Sequence, residues 1–255
     1  MYTAQINFKI NPSIDAEELL GLVNSLLGSW RMNGQVLGRE FPISRGNDVI
    51  SVVVQTPKND SLASEYSNKY TSRDLQKIEE KYTIPEVIYL GIDPEGAKTC
   101  QCKTPEFYIL FTTYISIESP LRCGACFGCV PLYKIRKTYD DEYYNIITWA
   151  SDYQSCDSLQ MNCKVGEYFS IGQLSNFDSE LTKQGMEVCT SISDATGKNV
   201  FYYLYRGTGE SYTAEEDRSC PSCSGAWLRE KPLHNKFNFK CNKCRLLSNI
   251  AWDCQ

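Results

Sequence analysis

Histidine is almost missing from this chain: His234 is the only one among 255 residues. Acid–base chemistry at neutral pH most often rests on histidine, so such a reaction here would have to use paired carboxylates. The carboxylate runs present, Asp140-Asp141-Glu142 and Glu215-Glu216-Asp217, are of the kind that usually lies solvated at a surface or at a helix start. Also lacking are a phosphate-cradling Gly-rich loop, a dinucleotide fingerprint, a nucleophile elbow and an H-E-x-x-H pair. No apolar run approaches the ~20 residues of a membrane span; the longest, such as Val52-Val53-Val54, are strand-sized. At the N-terminus, Met1-Tyr2-Thr3-Ala4-Gln5 has no basic segment leading into an apolar run, so no secretory signal is expected. Internal repeats and low-complexity tracts are missing too. These absences argue against an enzyme and against a membrane protein.

Cysteine is what the chain has in excess, with thirteen. A small secreted domain would spend them on disulfides. This chain is larger, and its cysteines fall in C-x-C and C-x-x-C pairs, which favours metal ligation in a reducing compartment. The cytoplasm is the expected location. Cys220-Pro221-Ser222-Cys223 and Cys241-Asn242-Lys243-Cys244 are separated by Ser224 to Lys240, a run that reads as two strands and a turn. Zinc takes four thiolates in a tetrahedron, and pairs about 15–20 residues apart are the signature of such a site. Four ordinary buried thiols rarely fall at this spacing. The expectation is a C-terminal zinc ribbon ligated by Cys220, Cys223, Cys241 and Cys244.

A second four-cysteine set is available in Cys100-Gln101-Cys102 and Cys123-Gly124-Ala125-Cys126, on either side of a predicted strand Phe107 to Ile117. Cys129 is an extra thiol that can substitute for one ligand. A dithiol redox site at Cys123 and Cys126 competes with this reading, and ordinary structural thiols are a third. A redox site needs its first cysteine at a helix N-terminus, whereas Phe127-Gly128-Cys129-Val130-Pro131 makes poor helix. Zinc is the preferred reading, so one zinc ion is expected and a second is open. Cys156, Cys163, Cys189 and Cys254 default to core packing, with Cys254 as a tail thiol.

The first ninety residues are well punctuated. Tyr2, Ala4, Ile6, Phe8 and Ile10 alternate with polar residues, as in a half-buried strand. Asn11-Pro12-Ser13 offers helix-start chemistry, and Ala16, Leu19, Leu20, Val23, Leu26 and Leu27 then recur at helical spacing up to Gly28. Gln35 to Phe41 and Val49 to Thr56 read as strands. Thr71-Ser72-Arg73-Asp74 reads as the cap of a helix bearing Leu75, Ile78 and Tyr82, and Glu86 to Leu90 as a further strand. The order β-α-β-β-α-β is the ferredoxin-like pattern. Beyond it, Asp140 to Met161 reads as a helix with Tyr144, Ile147, Ala150 (or Ser151), Gln154 and Leu159 on loosely spaced faces. Glu167 to Leu174 and Ser179 to Ile192 also read as helical, the latter with Leu181, Met186 (or Gly185) and Val188 inward. Val200 to Tyr205 is an aromatic strand. The predicted class is therefore α+β: a ferredoxin-like domain over 1–96, a cysteine-containing mixed region over 97–206, an acidic linker over 207–217 and the zinc ribbon over 218–255.

Charge is uneven. Seven Lys/Arg against Glu230 and Asp253 give the chain from Arg218 onward a net +5, so a total of −5 leaves −10 for the rest. An acidic body does not present the broad cationic surface of a general nucleic-acid binder. The ribbon alone supplies Arg229, Lys231, Lys236, Lys240, Lys243 and Arg245, with Trp227, Phe237 and Phe239 as rings that could stack on bases. The plainer role for at least two of those rings is the ribbon's own small core.

The ribbon run Cys220-Pro221-Ser222-Cys223 with Trp227 and Phe239-Lys240-Cys241-Asn242-Lys243-Cys244-Arg245-Leu246-Leu247-Ser248-Asn249 resembles an uncharacterised bacterial family. Its members are zinc-ribbon-containing proteins to which nucleic-acid binding is ascribed. Further matches are Ser119-Pro120-Leu121-Arg122-Cys123-Gly124, Val130-Pro131-Leu132-Tyr133, Cys156-Asp157-Ser158-Leu159-Gln160-Met161-Asn162-Cys163 and Tyr202-Tyr203-Leu204-Tyr205-Arg206. The resemblance implies the same four ribbon ligands and no particular activity, and a cysteine at Cys129 departs from it. With seventeen tyrosines, an acidic body and no catalytic constellation, the function expected first is protein binding. That means an adaptor or an inhibitor such as an immunity protein against a toxin, with a cationic partner. Nucleic-acid binding through the ribbon comes second, and thiol–disulfide chemistry at Cys123 and Cys126 third.

Overall fold

Strand β1 (Tyr2–Lys9) buries Ala4, Ile6 and Phe8 and turns Thr3, Gln5 and Asn7 the other way, as its alternating sequence requires. The computed structural model describes residues 1–10 and 15–254; the helix-start signal at Asn11-Pro12-Ser13 lies outside them. Helix α1 (Ala16–Met32) is capped by Asp15, whose carboxylate accepts from the Glu17 N–H. It lays Leu19, Val23, Leu26, Leu27 and Trp30 on the sheet. Next come β2 (Ile43–Arg45), β3 (Val49–Thr56), α2 (Lys69–Glu79) and β4 (Glu86–Ile92). The sheet order is β2-β3-β1-β4, with every neighbouring pair antiparallel. Ile50, Val52 and Val54 of β3 and Ile78 of α2 complete one core.

Two sequence expectations shift here. Gln35 to Phe41 is not a strand: Leu37 makes a single bridge to Gln55, and Gly34 and Gly38 have φ of +70° and +89°. Gln35 is buried, its amide bonding the Ser61 carbonyl and its carbonyl accepting from Asn33. Turn bonds from the Gln35 and Val36 N–H groups to the Trp30 carbonyl, the one bridge to Gln55 and these side-chain bonds hold the stretch in place of a ladder. The cap of α2 is Asn68, three residues before Thr71. Its Oδ1 accepts from the Tyr70 and Thr71 N–H groups, while Thr71 Oγ1 accepts from the Asn68 N–H.

β4 is an edge strand with all seven residues exposed, among them Val87, Ile88, Tyr89, Leu90 and Ile92. Residues 117–119 and 128–144 belong to this same unit as residues 1–99.

The second unit comprises 100–116, 120–127 and 145–255. Its elements are β5 (Phe107–Leu110), β6 (Leu121–Cys123), α3 (Tyr144–Asn162), α4 (Glu167–Ser175), α5 (Glu180–Thr196), β7 (Asn199–Tyr203), α6 (Tyr212–Glu216), β8 (Leu228–Leu233), β9 (Phe237–Cys241) and β10 (Leu246–Ser248). They build one six-stranded sheet in the order β6-β5-β7-β10-β9-β8, with β5–β7 and β7–β10 parallel. The C-terminal hairpin β8–β9 is therefore not separate from the middle region, because β10 pairs with β7 and joins residues on both sides of the expected 206/218 boundary.

β5 stops at Leu110, short of the expected Ile117. Helix α3 begins at Tyr144 because Asp140 and Asp141 have φ of +29° and +64°. Its inner face is Ile146, Trp149, Ala150, Tyr153, Asp157 and Gln160, sharing only Ala150 with the residues singled out in the sequence. The apolar pattern concealed this stripe because two of its six members are polar. On α5 the inner residue is Gly185 and not Met186: a Cβ there would lie 2.1 Å from the Tyr202 ring. Within the expected linker, α6 is tied down. Glu215 is buried and pairs with Arg206 at 2.8 Å and Arg218 at 3.4 Å, and it accepts the Ala251 N–H. Among the described residues no helix is long and apolar enough to cross a membrane.

Candidate metal centres

Two sets of four sulfurs converge, Cys220/Cys223/Cys241/Cys244 and Cys100/Cys102/Cys123/Cys126. Within each set every Sγ lies within 4.8 Å of the others. Cys223 and Cys241 are 3.7 Å apart, Cys100 and Cys126 3.6 Å. A zinc–sulfur bond of ~2.3 Å in a tetrahedron puts sulfurs about 3.8 Å apart, whereas a disulfide needs ~2 Å. Both sets are spaced so that they could hold a metal ion. Among the described residues none of the thirteen cysteines is joined in a disulfide.

The backbone explains how each pair is presented. Phe127, Ser224 and Arg245 follow the second cysteine of the three C-x-x-C segments, and all have left-handed φ, +59°, +55° and +55°. In two of them the N–H of that residue bonds the carbonyl of the first cysteine at 2.8 Å, Phe127 to Cys123 and Ser224 to Cys220. The middle C-x-x-C thus has the same turn as the two ribbon pairs. The fourth pair, Cys100-Gln101-Cys102, lies in a loop and closes more tightly, with the Cys102 N–H on Cys100 Sγ at 3.3 Å. The Cys244 N–H likewise reaches Cys241 Sγ at 3.4 Å. Such N–H groups offset thiolate charge.

The sulfurs do not titrate alike. Burial pushes Cys220 up to about 12 and also raises Cys100. The backbone N–H of Gly225, with neighbouring sulfurs, brings Cys223 down to about 7. A dication among them would deprotonate all four. A metal ion held by all four thiolates of a set would have no position open to activate water. The redox geometry is not present: Cys123 is fully buried at the end of β6, with no helix starting there. Cys129 is buried and outside the convergent set, Cys189 is buried, Cys156 and Cys254 are half-buried, and Cys163 is exposed.

Each cluster has a cation beside it in sequence. Arg122, next to Cys123, is buried with its guanidinium 5.6 Å from the Phe127 ring and 5.9 Å from Phe111. Lys240, next to Cys241, lies over Phe107 and Phe201 at 4.2 and 4.5 Å. Neighbouring cations suit a centre in which four thiolates outweigh one dication.

Trp227, Phe237 and Phe239 are buried, Trp227 donating to the Arg218 carbonyl and stacking on Phe239. Trp227 and Phe239 pack on each other, while Phe237 packs against Phe111, Phe127 and Tyr203 of the middle region. Arg229, Lys231, Lys236 and Lys243 are exposed, while Lys240 and Arg245 are half-buried, Arg245 bonding Ser193. The acidic runs are structural at their anchored members. Asp141 accepts the Lys69 N–H at the start of α2, Asp140 pairs with Lys69, and Glu215 holds α6.

Residues 1–90, 102–205 and 209–254 match three families, described as Domain of unknown function (DUF8589), Domain of unknown function (DUF2310) and Domain of unknown function (DUF8594) respectively. A Haemophilus influenzae protein described as "Uncharacterized protein" is 34% identical over 99% of this chain and 99% of its own. A second from that organism, described in the same words, is 37% identical over 64% of this chain and 81% of its own. A solved structure titled "Crystal structure of antibiotic biosynthesis monooxygenase" covers 37% of this chain and 100% of its own at 13% identity, with a TM-score of 0.30, too slight a likeness to carry an argument. The chain belongs to the family of the full-length Haemophilus influenzae relative.

Proposed function

We propose that this member of the family is a non-enzymatic, zinc-stabilised protein-binding module of the cytoplasm. The observation that carries the reading is the shared left-handed turn after Cys126, Cys223 and Cys244, which makes the middle C-x-x-C a second zinc knuckle. Two closed tetrathiolate sites supply structure and no open coordination position. Thiolate ligation on this scale suits a reducing compartment. The antiparallel order β2-β3-β1-β4 supports the ferredoxin-like reading of residues 1–96, and the cysteine pairs before β8 and between β9 and β10 support the zinc-ribbon reading of 218–255.

The partner is a protein segment that is extended, apolar and basic. The apolar edge of β4 offers a ladder to such a segment, and an acidic body attracts its charge. An inhibitor or immunity role fits this surface. Nuclease-treated affinity capture compares the wild type with Leu90→Lys and Ile88→Lys. The expected result is a partner held by the wild type and lost from both variants, with metal content unchanged. A partner retained by both variants would remove β4 from the account.

Nucleic-acid binding is the second reading, favoured by the exposed Arg229, Lys231, Lys236 and Lys243. With Trp227, Phe237 and Phe239 in the core, base stacking is not available to it. Labelled RNA and DNA are expected to show no saturable binding at low salt.

A further inference from the structure

His234, the chain's one histidine, stands at the tip of the C-terminal hairpin. The β8–β9 turn has φ of +54° at both His234 and Asn235, and the Lys236 N–H bonds the Leu233 carbonyl at 3.1 Å. Two positive φ angles at the central residues mark a type I′ turn, where Asn and Gly are the favoured residues. Histidine is an unusual choice for the first position, so what its ring touches has weight.

It touches the middle cysteine cluster. His234 Nε2 lies 2.9 Å from the carbonyl oxygen of Gly124, inside Cys123-Gly124-Ala125-Cys126. The ring also stacks on Phe127 at 5.1 Å and 28°, and Phe127 is the left-handed residue that closes that knuckle. A second bridge runs alongside. Phe107 fills the space over Gly124, where a Cβ would meet its ring at 2.4 Å. Lys240, the neighbour of Cys241, places its ammonium 4.2 Å from the same ring.

We infer that His234 is a positioning residue for the middle metal site, held there by the folded ribbon, so that metal binding at the two four-cysteine sites is cooperative. The inference rests on the reading of both clusters as zinc sites. A small hairpin carrying two knuckles draws its order from metal. Once ordered, it presents His234 to the Gly124 carbonyl and Phe127 ring and fixes the turn that carries Cys123 and Cys126. Coupling free energy is reciprocal, so metal at the middle site must strengthen the ribbon site equally. Groups that orient ligands from outside the coordination sphere typically change metal affinity by about 10–100-fold.

The test is competition between the full-length protein and a chromophoric chelator for zinc. Cobalt(II) spectra report each thiolate centre once its bands are assigned with variants that keep only one of them, Cys123→Ser with Cys126→Ser or Cys241→Ser with Cys244→Ser. His234→Asn suits the I′ turn and removes the ring, and so separates loss of the contact from loss of the hairpin. The expected result is two metals per wild-type chain, with middle-site affinity about tenfold weaker in His234→Asn and ribbon-site cobalt bands unchanged. Cys241→Ser with Cys244→Ser should weaken the middle site by at least as much. Middle-site affinity within twofold of wild type in His234→Asn would overturn the inference while leaving two zinc sites standing. One metal per wild-type chain would instead remove the middle zinc site and the inference with it.

Discussion

Asp74 lies buried between α1 and α2, where Oδ2 accepts from Ser29 at 2.5 Å and Ser25 at 3.0 Å, and Oδ1 from Arg73 at 2.8 Å. Burial by itself would raise its pKa. Hydrogen bonds from Arg73, Ser29 and Ser25 outweigh that and hold it below the ordinary carboxylate value. A depressed folded pKa means the stabilisation is complete above the unfolded value of about 3.9 and is lost as pH falls through the folded one. Asp74→Ala should cost about 1–3 kcal/mol at neutral pH, since it removes a buried carboxylate and the three hydrogen bonds it accepts. Urea melts at several pH values should show the difference from wild type shrinking below about pH 4. A pH-independent difference would contradict the assignment. Gly124 makes a residue-scale prediction about metal. A methyl group there would strike the Phe107 ring at 2.4 Å, and rings in a packed sheet do not move freely. Gly124→Ala should lose one of two zinc ions by elemental analysis and keep the ribbon's.

Elements that could be read from the sequence were those whose signal is local. β1, α1, β3 and β4 follow apolar periodicity, and the knuckles follow cysteine spacing. α6 has no local signal, because what anchors it is remote: Arg206, Arg218 and Ala251 converge on Glu215 from different segments. The inner face of α3 went unread because Asp157 and Gln160 occupy it. Asp157 accepts the Tyr114 N–H at 2.7 Å and a bond from Gln160 at 3.0 Å, partners no periodicity announces. Removing one partner from a buried ion pair is costly, so Glu215→Ala should destabilise the second unit by about 3–5 kcal/mol. Limited proteolysis should then cut within 207–217 in the variant and spare the wild type. Equal resistance would show that α6 is held by something else.

Over the whole molecule, chain order and spatial order part company. Residues 117–119 and 128–144 return to the first unit while 120–127 stay with the second. Domain boundaries drawn along the sequence miss that, as they miss β10 pairing with β7. The convergence of Cys220, Cys223, Cys241 and Cys244 is legible because C-x-x-C spacing is a local signal. The middle site was legible only as an option, until the left-handed Phe127 made its knuckle match the others. The contact of His234 with that knuckle had one sequence signal, a lone histidine where a tight turn prefers Asn or Gly. The proposed partner has no local signature; the exposed apolar edge of β4 is the feature from which it is proposed.

The central claim is two closed tetrathiolate zinc sites in one chain, and native mass spectrometry with alkylation of accessible thiols tests it most directly. The account predicts two zinc ions per chain, with Cys100, Cys102, Cys123, Cys126, Cys220, Cys223, Cys241 and Cys244 protected until a strong chelator is added. One zinc ion per chain with Cys100, Cys102, Cys123 and Cys126 freely alkylated, or a disulfide between Cys123 and Cys126, would contradict it.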